Sequence, residues 1–214
     1  MSPAQPVKNY HDLVRADIFP VLPDRAGRVL DFGGGVGATG VTLKRNGRAS
    51  HLVVADRVTG QLDEVDRACL GDLESREFVA GVLDENGPFD TILALDVLEH
   101  LRDPWATVEQ LRKGLAPNGV IVVSVPNVNY HGLVLPLVFR GRYALTDSGI
   151  LDRTHIRWFA KHGAIELMSP PGLSVEVVEA NILGRREALL DKLTFGRLQR
   201  FLALQYLIRS RRVD

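Results

Sequence analysis

The stretch that decides the fold runs from Arg28 to Arg45 and reads RVLDFGGGVGATGVTLKR. Its apolar opening suits a strand, its alternating glycines suit a tight turn, and its remainder suits a helix. Glycines at positions 33, 35 and 37 tolerate positive φ and let a ligand approach the backbone, which a Cβ would hinder. The pattern predicts a strand, a glycine turn and a helix that bind a nucleotide-like ligand, with a plain tight turn as the alternative.

The glycine spacing separates this turn from two common nucleotide sites. It reads Asp-x-Gly-x-Gly-x-Gly from Asp31, whereas dinucleotide sites use Gly-x-Gly-x-x-Gly and phosphate-binding P-loops end in Gly-Lys-Ser/Thr. NAD and ATP are therefore disfavoured. The turn resembles the first motif of the class I S-adenosylmethionine-dependent methyltransferases, in which an acidic residue precedes alternating glycines. Gly34 departs from that motif, because the family usually has cysteine there.

Further acidic residues follow apolar, strand-like runs where that family would have them. Asp56 lies 23 residues beyond the first glycine of the motif and suits a carboxylate that accepts both ribose hydroxyls, although an ordinary strand-end aspartate fits as well. The segment CLGDL resembles the one whose aspartate, here Asp72, takes the adenine amino group while the next backbone amide, here Leu73, meets the ring. The block Phe89–His100 resembles the family's fourth-strand block, including its Leu-Glu-His ending.

The resemblance implies S-adenosyl-L-methionine as cofactor, together with its contacts. From the methionine end to the adenine, the implied binding residues are Asp31, Gly33, Gly35, Gly37, Asp56, Asp72 and Leu73, with Asp96 closing the floor of the pocket. An amphipathic helix is predicted over Tyr10–Val21, with Leu13, Ile18 and Val21 directed inward. Tyr10 or Arg15 on this helix could face the methionine carboxylate, and a plain packing helix is the alternative.

The amino-acid composition limits the classes of protein to which this chain can belong. The 214 residues, 45% apolar and 24% charged, suffice for one well-buried domain and are short for two. Basic and acidic side chains are equal at 26 each, so no overall field attracts nucleic acid and no nucleic-acid partner is expected. A single cysteine, Cys69, excludes an internal disulfide. Charges spread through the first 20 positions and the absence of a long apolar run predict a cytoplasmic protein.

Basic side chains are concentrated towards the C-terminal end of the sequence. Residues 185–212 carry eight basic and two acidic side chains, a net charge of +6. Three interpretations stay open: a solvated face, a patch for anionic acceptors, or a weak contact with a membrane surface for lipid-linked substrates. Interleaved leucine and phenylalanine side chains also suit a core contact or a homodimer.

Apolar runs alternate with helical stretches through residue 125, which predicts an α/β fold with a parallel sheet covered on both faces. With the resemblance, this becomes a Rossmann-like doubly wound, seven-stranded, mostly parallel sheet with the last strand antiparallel and a lid-like insertion after strand 5. The predicted strands are 28–32, 51–55, 68–70, 90–95, 119–125, 173–180 and 202–208. The expected layout of a single domain, 1–214, is an N-terminal cap helix (1–27), a cofactor-binding core (28–126), a substrate-specificity segment (127–159) and the C-terminal half of the sheet (160–214).

Two histidines are candidates for acid–base chemistry. Methyl transfer from a sulfonium needs no enzyme nucleophile, but a hydroxyl acceptor must lose its proton. His155, three residues after Asp152 in the specificity segment, is the preferred catalytic base, and His100 is the second candidate. Each could instead order its loop through hydrogen bonds. His131 could line the acceptor pocket.

The run Asp96-x-x-Glu99-His100 leaves a metal site open as an alternative. Some methyltransferases that act on ubiquinone precursors or small RNAs hold a divalent ion with Glu-x-x-Glu-His at this point. This chain has aspartate in the first place, and the Leu-Glu-His ending is also widespread in relatives without metal. No bound metal is predicted.

Together, these residues predict an S-adenosylmethionine-dependent methyltransferase that acts on a small molecule or sugar, more readily at oxygen than at nitrogen. Residues 126–159 resemble a subgroup of bacterial methyltransferases found around polysaccharide and secondary-metabolite biosynthesis. The alternative is a catalytically silent cofactor-binding protein with a regulatory or scaffolding role, and turnover separates the two. An NAD-dependent reductase is disfavoured, because Tyr130 and Tyr143 lack a Tyr-x-x-x-Lys partner.

Overall fold

A seven-stranded sheet lies at the centre of the fold. The computed structural model describes residues 13–58 and 60–214. The strands are β1 (Gly27–Phe32), β2 (Ala49–Asp56), β3 (Arg67–Leu70), β4 (Phe89–Leu95), β5 (Leu115–Pro126), β6 (Leu173–Asn181) and β7 (Gln205–Arg212). The α-helices are α1 (Ala38–Arg45), α2 (Arg76–Asn86), α3 (Pro104–Lys113), α4 (His131–Arg140), α5 (Lys161–Leu167), α6 (Arg185–Leu193) and α7 (Gln199–Leu202).

The strand order is β3-β2-β1-β4-β5-β7-β6, so the chain reverses its direction of travel between β1 and β4. The strands β1 to β5 are parallel, and β7 runs antiparallel between β5 and β6. Leu30 of β1 stands beside Val53 of β2 on one side and Ile92 of β4 on the other. Open α/β sheets bind ligands at the carboxyl ends of the strands at such a reversal. The predicted Rossmann-like sheet with an antiparallel last strand is confirmed.

The bounds of the last strand differ from the prediction of 202–208. Residues 199–202 form α7, and β7 starts at Gln205 and extends to Arg212. A short apolar run does not distinguish a helical turn from a strand, so the boundary could not be located from hydrophobicity. The polar end of β7 is stabilised by ion pairs, because Arg209 and Arg211 both contact Glu176 of β6.

Two apolar layers cover the sheet. On one face, Phe32, Ile92 and Val123 are buried in a cluster that includes side chains of α2, α3 and α5. On the other, Leu52 and Val122 are buried with side chains of α1 and of the segment before β1. Burial on both faces explains why the parallel strands read as continuous apolar runs rather than alternating ones.

The N-terminal cap helix is not found among the described residues. Within the described part of the predicted helix, only Ala16–Ile18 form a single 3-10 turn, and Pro20 lacks the backbone N–H that a helix continuing through it would need. Ile18 and Val21 are buried as predicted, but Leu13 is 50% exposed. Tyr10 lies outside the described residues.

The insertion after β5 begins with α4 and ends its helical part at Gly141, whose left-handed φ of 58° caps the helix. The chain then forms turns and returns to the sheet through a bridge between Asn127 and Phe159. Over the parts of the chain that the structure describes, no helix combines the length and apolarity needed to cross a bilayer.

Candidate active site

A cleft of about 1190 Å³ opens at the carboxyl ends of β1, β2 and β4. Its walls come from both the sheet and the insertion. Of the predicted site residues, the cleft is lined by Gly33, Asp56, Asp72, Leu73, Asp96, His100 and His155. Glu99, Asp147, Ile150, Ile156 and Gln205 line it as well. Most of the predicted cofactor and acid–base residues therefore line one cleft, whereas Asp31 and Gly35 line a smaller cavity beside it.

The glycine turn lies at the inner end of this cleft. Gly33 adopts a φ of 77°, and a Cβ built on it would lie 2.4 Å from Val97 Cγ2. Gly34 packs directly on the carboxyl group of Asp31, because a Cβ there would lie 2.3 Å from Asp31 Cγ. The glycine at the usual cysteine position is thus matched to a buried carboxyl group. Gly37 lines neither described cavity at this edge and serves as the N-cap of α1.

The pKa of Asp31, the acidic residue of the glycine turn, is raised by its surroundings. It is 2% exposed, and its Oδ2 atom has no hydrogen-bond partner among the described residues. It borders a small cavity of about 50 Å³ that Gly35 and Arg15 also line. Burial is the main cause that raises the pKa of Asp31 to about 7, and the charge of Asp56 adds to it, while a backbone hydrogen bond from Gly40 opposes it. This carboxyl group suits a cationic amino group.

Asp56 holds the turn from the end of β2. Its Oδ2 accepts the N–H of Gly35 at 2.8 Å, and its Oδ1 accepts the N–H of Val58 at 2.9 Å. Each carboxylate oxygen keeps further acceptor capacity towards the cleft, since an ionised carboxylate offers about four lone-pair sites. The geometry fits a pair of ribose hydroxyls.

Asp72 and Leu73 lie on the loop between β3 and α2. Asp72 is exposed and forms an ion pair with Arg57. Its Oδ1 also accepts the backbone N–H of Glu74 at 3.0 Å. This backbone hydrogen bond, followed by the bond from Arg57, holds the pKa of Asp72 below its usual value. The carboxylate is therefore an ionised hydrogen-bond acceptor.

Asp96 at the end of β4 belongs to a polar network that crosses the floor of the cleft. It is held in the left-handed region with a φ of 55°, and Ser124 Oγ accepts its N–H at 2.9 Å and donates to its Oδ1 at 2.7 Å. Arg15 forms an ion pair with Asp96 and also donates to Gln205 Oε1 at 3.1 Å. Arg15 therefore braces the floor of the cleft and also lines the adjoining small cavity. It is one of the two residues predicted to face the methionine carboxylate.

His155 has one ring nitrogen fixed and the other directed towards a carboxyl group. Its Nδ1 lies 3.1 Å from the carbonyl oxygen of Ile150, which makes Nδ1 the donor and leaves Nε2 as an acceptor. Nε2 lies 3.9 Å from Oε1 of Glu99. The insertion is attached at the same point, because the N–H groups of Ile156 and Arg157 both donate to the Glu99 carbonyl at 3.0 Å. This arrangement can take a proton at Nε2.

His100 repeats this arrangement beside His155. Its Nδ1 lies 3.2 Å from the carbonyl oxygen of Thr154, and the two imidazole rings meet edge to face with centroids 4.6 Å apart. Burial, with the neighbouring His155 as a second cause, lowers the pKa of His100. A lowered pKa favours the neutral imidazole at pH 7.

Glu99 is fully buried, and neither of its carboxyl oxygens has a hydrogen-bond partner within the described residues. Burial and the nearby charge of Asp96 raise the pKa of Glu99 well above its ordinary value. Ligand atoms of Glu99, His100 and His155 all lie within 4.8 Å of one another. Two imidazoles and a carboxylate are also a donor set that divalent transition metals accept. The absence of a metal therefore stays a prediction, and Asp96 lies outside this group of donors.

Two further observations concern the surroundings of the histidines. Asp152 does not pair with the His155 ring, because its Oδ1 accepts the N–H and hydroxyl of Thr154 at 2.8 and 2.6 Å. The carboxyl group facing His155 is Glu99. His131 is not among the residues lining the cleft and stacks against Tyr130 at the start of α4, with centroids 4.4 Å apart.

The sequence assigned no role to Ser124 or Gln205, and it offered Glu99 only as an alternative metal ligand. Glu99 was visible in the Leu-Glu-His ending, but its pairing with His155 joins positions 56 residues apart. Ser124 carried a weak signal as a hydroxyl inside an apolar strand, since buried polar groups need partners. Gln205 gave none, because its contact with Arg15 joins positions 190 residues apart.

Comparison with known proteins agrees with the fold and the cleft. The family model described as "Methyltransferase domain" matches residues 8–178. A solved S-adenosylmethionine-dependent methyltransferase from Mesorhizobium loti shares the fold at a TM-score of 0.59, with 16% identity over 92% of this chain and 99% of that one. Another from Archaeoglobus fulgidus has a TM-score of 0.60, with 14% identity over 92% of each chain.

The curated relatives that are similar in sequence align with only part of this chain. The ubiquinone biosynthesis O-methyltransferase of Paracidovorax citrulli is 29% identical over 55% of this chain and 51% of its own length. The tRNA 5-carboxymethoxyuridine methyltransferase of Escherichia coli strain K12 is 28% identical over 58% of this chain and 48% of its own. The chain thus spans about half the length of these curated relatives.

The fold and the cleft define a class I S-adenosylmethionine-dependent methyltransferase domain. The extent of the family match makes the assignment definite: this chain belongs to the methyltransferase family described above, whose class uses S-adenosylmethionine as methyl donor.

Proposed function

We propose that this chain binds S-adenosylmethionine and transfers its methyl group to an oxygen atom of a small-molecule or sugar acceptor. The observation that carries the proposal is the His155 ring, which lines the cleft with its Nδ1 at a backbone carbonyl and its Nε2 3.9 Å from Oε1 of Glu99. An oxygen acceptor needs a base in such a position, whereas an unprotonated amine does not need one before transfer. The ubiquinone relative is an O-methyltransferase by name.

The residues of the glycine turn fit the cofactor. The buried Asp31, with an Oδ2 that lacks a partner in the described structure, would pair with the amino group of the methionine end beside Gly33 and Gly35. Asp56 would accept the ribose hydroxyls. Asp72 and the Leu73 amide would contact the adenine, with Asp96 beneath as the braced floor. When bound, S-adenosylmethionine supplies an activated methyl group on its sulfonium.

The chain's own residues then position the acceptor and manage its proton. His155 Nε2 takes the hydroxyl proton beside the Glu99 carboxyl group 3.9 Å away, and a positive ring there would favour the ionised form of that carboxyl group. The insertion covers this part of the cleft with Ile150 and Ile156, which reduces access of water. The Ile150 carbonyl holds the ring in the tautomer that leaves Nε2 free.

Cofactor binding is tested first, by calorimetric titration with S-adenosylhomocysteine. Binding that is lost in Asp56→Ala, with no heat from NAD, is the expected result. A folded protein that binds no S-adenosylhomocysteine at about millimolar concentration, near the weak end of measurable affinity, would refute the proposal.

Turnover separates an enzyme from a silent cofactor-binding protein. Phenolic and sugar hydroxyl acceptors, amines and transfer RNA are assayed with labelled S-adenosylmethionine. His155→Gln should lower kcat for the hydroxyl acceptor about 100-fold or more, because a positioned base contributes that much, and should leave S-adenosylhomocysteine affinity unchanged. His131→Gln, outside the cleft lining, is the matched control.

Three outcomes would count against this assignment. Full activity in His155→Gln would exclude His155 as the base. Binding without turnover on every acceptor would favour the silent protein, with a regulatory or scaffolding role. Loss of activity on chelation, restored by a divalent ion, would assign Glu99, His100 and His155 to a metal instead.

A further inference from the structure

Two helices of the structure expose apolar side chains that a folded surface normally hides. In α4, Leu133 is buried, whereas Leu135, Leu137 and Val138 are exposed and Phe139 is 79% exposed. In and around α6, Leu183, Leu189 and Leu193 are exposed and Phe195 is 89% exposed. Single exposed leucines are ordinary, but clusters of this size mark contact surfaces. We call these two groups together the apolar rim.

The helices of the apolar rim begin at the carboxyl ends of the strands, where the cleft opens. α4 follows the carboxyl end of β5, and α6 follows the carboxyl end of β6. These ends meet at Gln205, which pairs with Pro126 on one side and Asn181 on the other. Asn127, shortly before α4, is bound to α7, the helix that follows α6, because its Nδ2 donates to the carbonyl oxygens of Arg200 and Ala203 at 2.8 Å each. Pro126 and Gln205 themselves line the cleft.

Basic side chains accompany the rim, and acidic ones are scarce. The stretch 131–142 contains two arginines and no acidic residue, and the stretch 183–200 contains five basic and two acidic residues. In the described structure none of these seven basic side chains forms an ion pair, which sets them apart from the arginines of β7. The seven are Arg140, Arg142, Arg185, Arg186, Lys192, Arg197 and Arg200.

We propose that the apolar rim docks on an anionic lipid bilayer. Exposed leucine, valine and phenylalanine side chains flanked by arginines are the composition of an interfacial contact, in which apolar groups enter the headgroup boundary and cations meet lipid phosphates. A second copy of the chain suits the rim poorly, because a two-fold contact would bring one basic surface onto another. Nucleic acid would match the charge but would leave the aliphatic side chains in water.

Docking at this edge would bring the mouth of the cleft close to the bilayer. An acceptor with a hydroxyl-bearing head and an apolar tail could then reach His155 without leaving the lipid phase. This last step rests on the proposed function, whereas the docking itself does not, so vesicle binding and methyl transfer are measured separately.

Vesicle co-sedimentation tests the docking. The protein is mixed with vesicles of phosphatidylglycerol and phosphatidylcholine, and in parallel with vesicles of phosphatidylcholine alone. We expect binding to the anionic vesicles and at least about tenfold weaker binding to neutral ones or in about 0.5 M salt, which screens the arginines. The double variant Phe139→Asp/Phe195→Asp should lose about tenfold or more in affinity. Arg140→Ala/Arg142→Ala should weaken binding to anionic vesicles only.

Val213→Asp is the matched control, because Val213 is an exposed apolar residue just after β7, at the opposite edge of the sheet. It should bind vesicles like the unaltered chain. All the substituted side chains are solvent-exposed, and retained S-adenosylhomocysteine binding verifies their folding. The proposal is overturned if anionic vesicles fail to bind the folded protein, or if Phe139→Asp/Phe195→Asp binds them equally well. A dimer in light scattering that the same variant dissociates would assign the rim to a second copy.

Discussion

Asp31 and Glu99 are carboxyl residues that the fold removes from water without giving their oxygens a full set of hydrogen-bond partners among the described residues. A buried carboxyl group of this kind is costly unless something pairs with it. Asp31 borders the small cavity at the glycine turn, and Glu99 lies beside His155. At the scale of single residues, these two unsatisfied carboxyl groups therefore lie where ligands are expected.

The pKa of Asp31, raised to about 7, predicts a pH-dependent affinity for the cofactor product. Below this pH the free protein holds Asp31 protonated, so binding a cationic amino group must expel a proton. The affinity for S-adenosylhomocysteine should rise with pH by at most about tenfold per unit and level off above about 7. Calorimetry across this range measures it.

Two variants sharpen this measurement. Asp31→Asn should bind weakly and without this pH dependence, because an amide carries no titrating charge. Asp84→Asn, which removes an exposed acid on α2, should behave like the unaltered chain. A pH-independent affinity in the unaltered chain would separate Asp31 from the cationic group.

The elements of this fold differ in how well the local sequence predicts them. The glycine turn and α1 follow from local chemistry, since a strand, three glycines and a helical run are adjacent in the chain. The joining of Glu99 to His155 and the start of β7 depend on contacts between distant segments, which a local pattern does not contain. Within the described residues, a single 3-10 turn replaces the predicted cap helix, because Pro20 lacks the backbone N–H that a continuing helix needs.

Asn127 is the connection between the insertion and α7, and its removal tests that connection. Its side chain is buried and donates to two carbonyl groups, while its Oδ1 accepts the N–H of Asn129 at 3.1 Å. Asn127→Ala should lower the free energy of unfolding by about 2–4 kcal/mol, because buried polar groups lose their partners. Urea denaturation measures the change. Asn129→Ala should stay within about 0.5 kcal/mol, and an equal loss in both variants would contradict this role.

The cleft is formed by segments spread over most of the described chain, from Gly33 after β1 to Gln205 of β7. No single stretch could therefore bind the cofactor and hold His155. The layout as a single domain remains a prediction that unfolding can test. Small single domains unfold in one cooperative transition.

Circular dichroism and the fluorescence of Trp105 and Trp158 should report the same unfolding midpoint. S-adenosylhomocysteine at about 100 times its Kd should stabilise the whole chain by ~2.7 kcal/mol, because only the folded state binds it. NAD at the same concentration is the control and should shift nothing. Separate midpoints for the two probes would indicate independently folding parts.

The antiparallel placement of β7 has a consequence for biosynthesis on the ribosome. Among the strands that the structure describes, β6 pairs with β7 alone, although β7 is made after the other six. A growing chain can assemble the parallel five-stranded portion early, but β6 must wait, with its edge unpaired, until residues 205–212 have left the exit tunnel. Completion of the sheet is thus a late event that follows synthesis of its final strand.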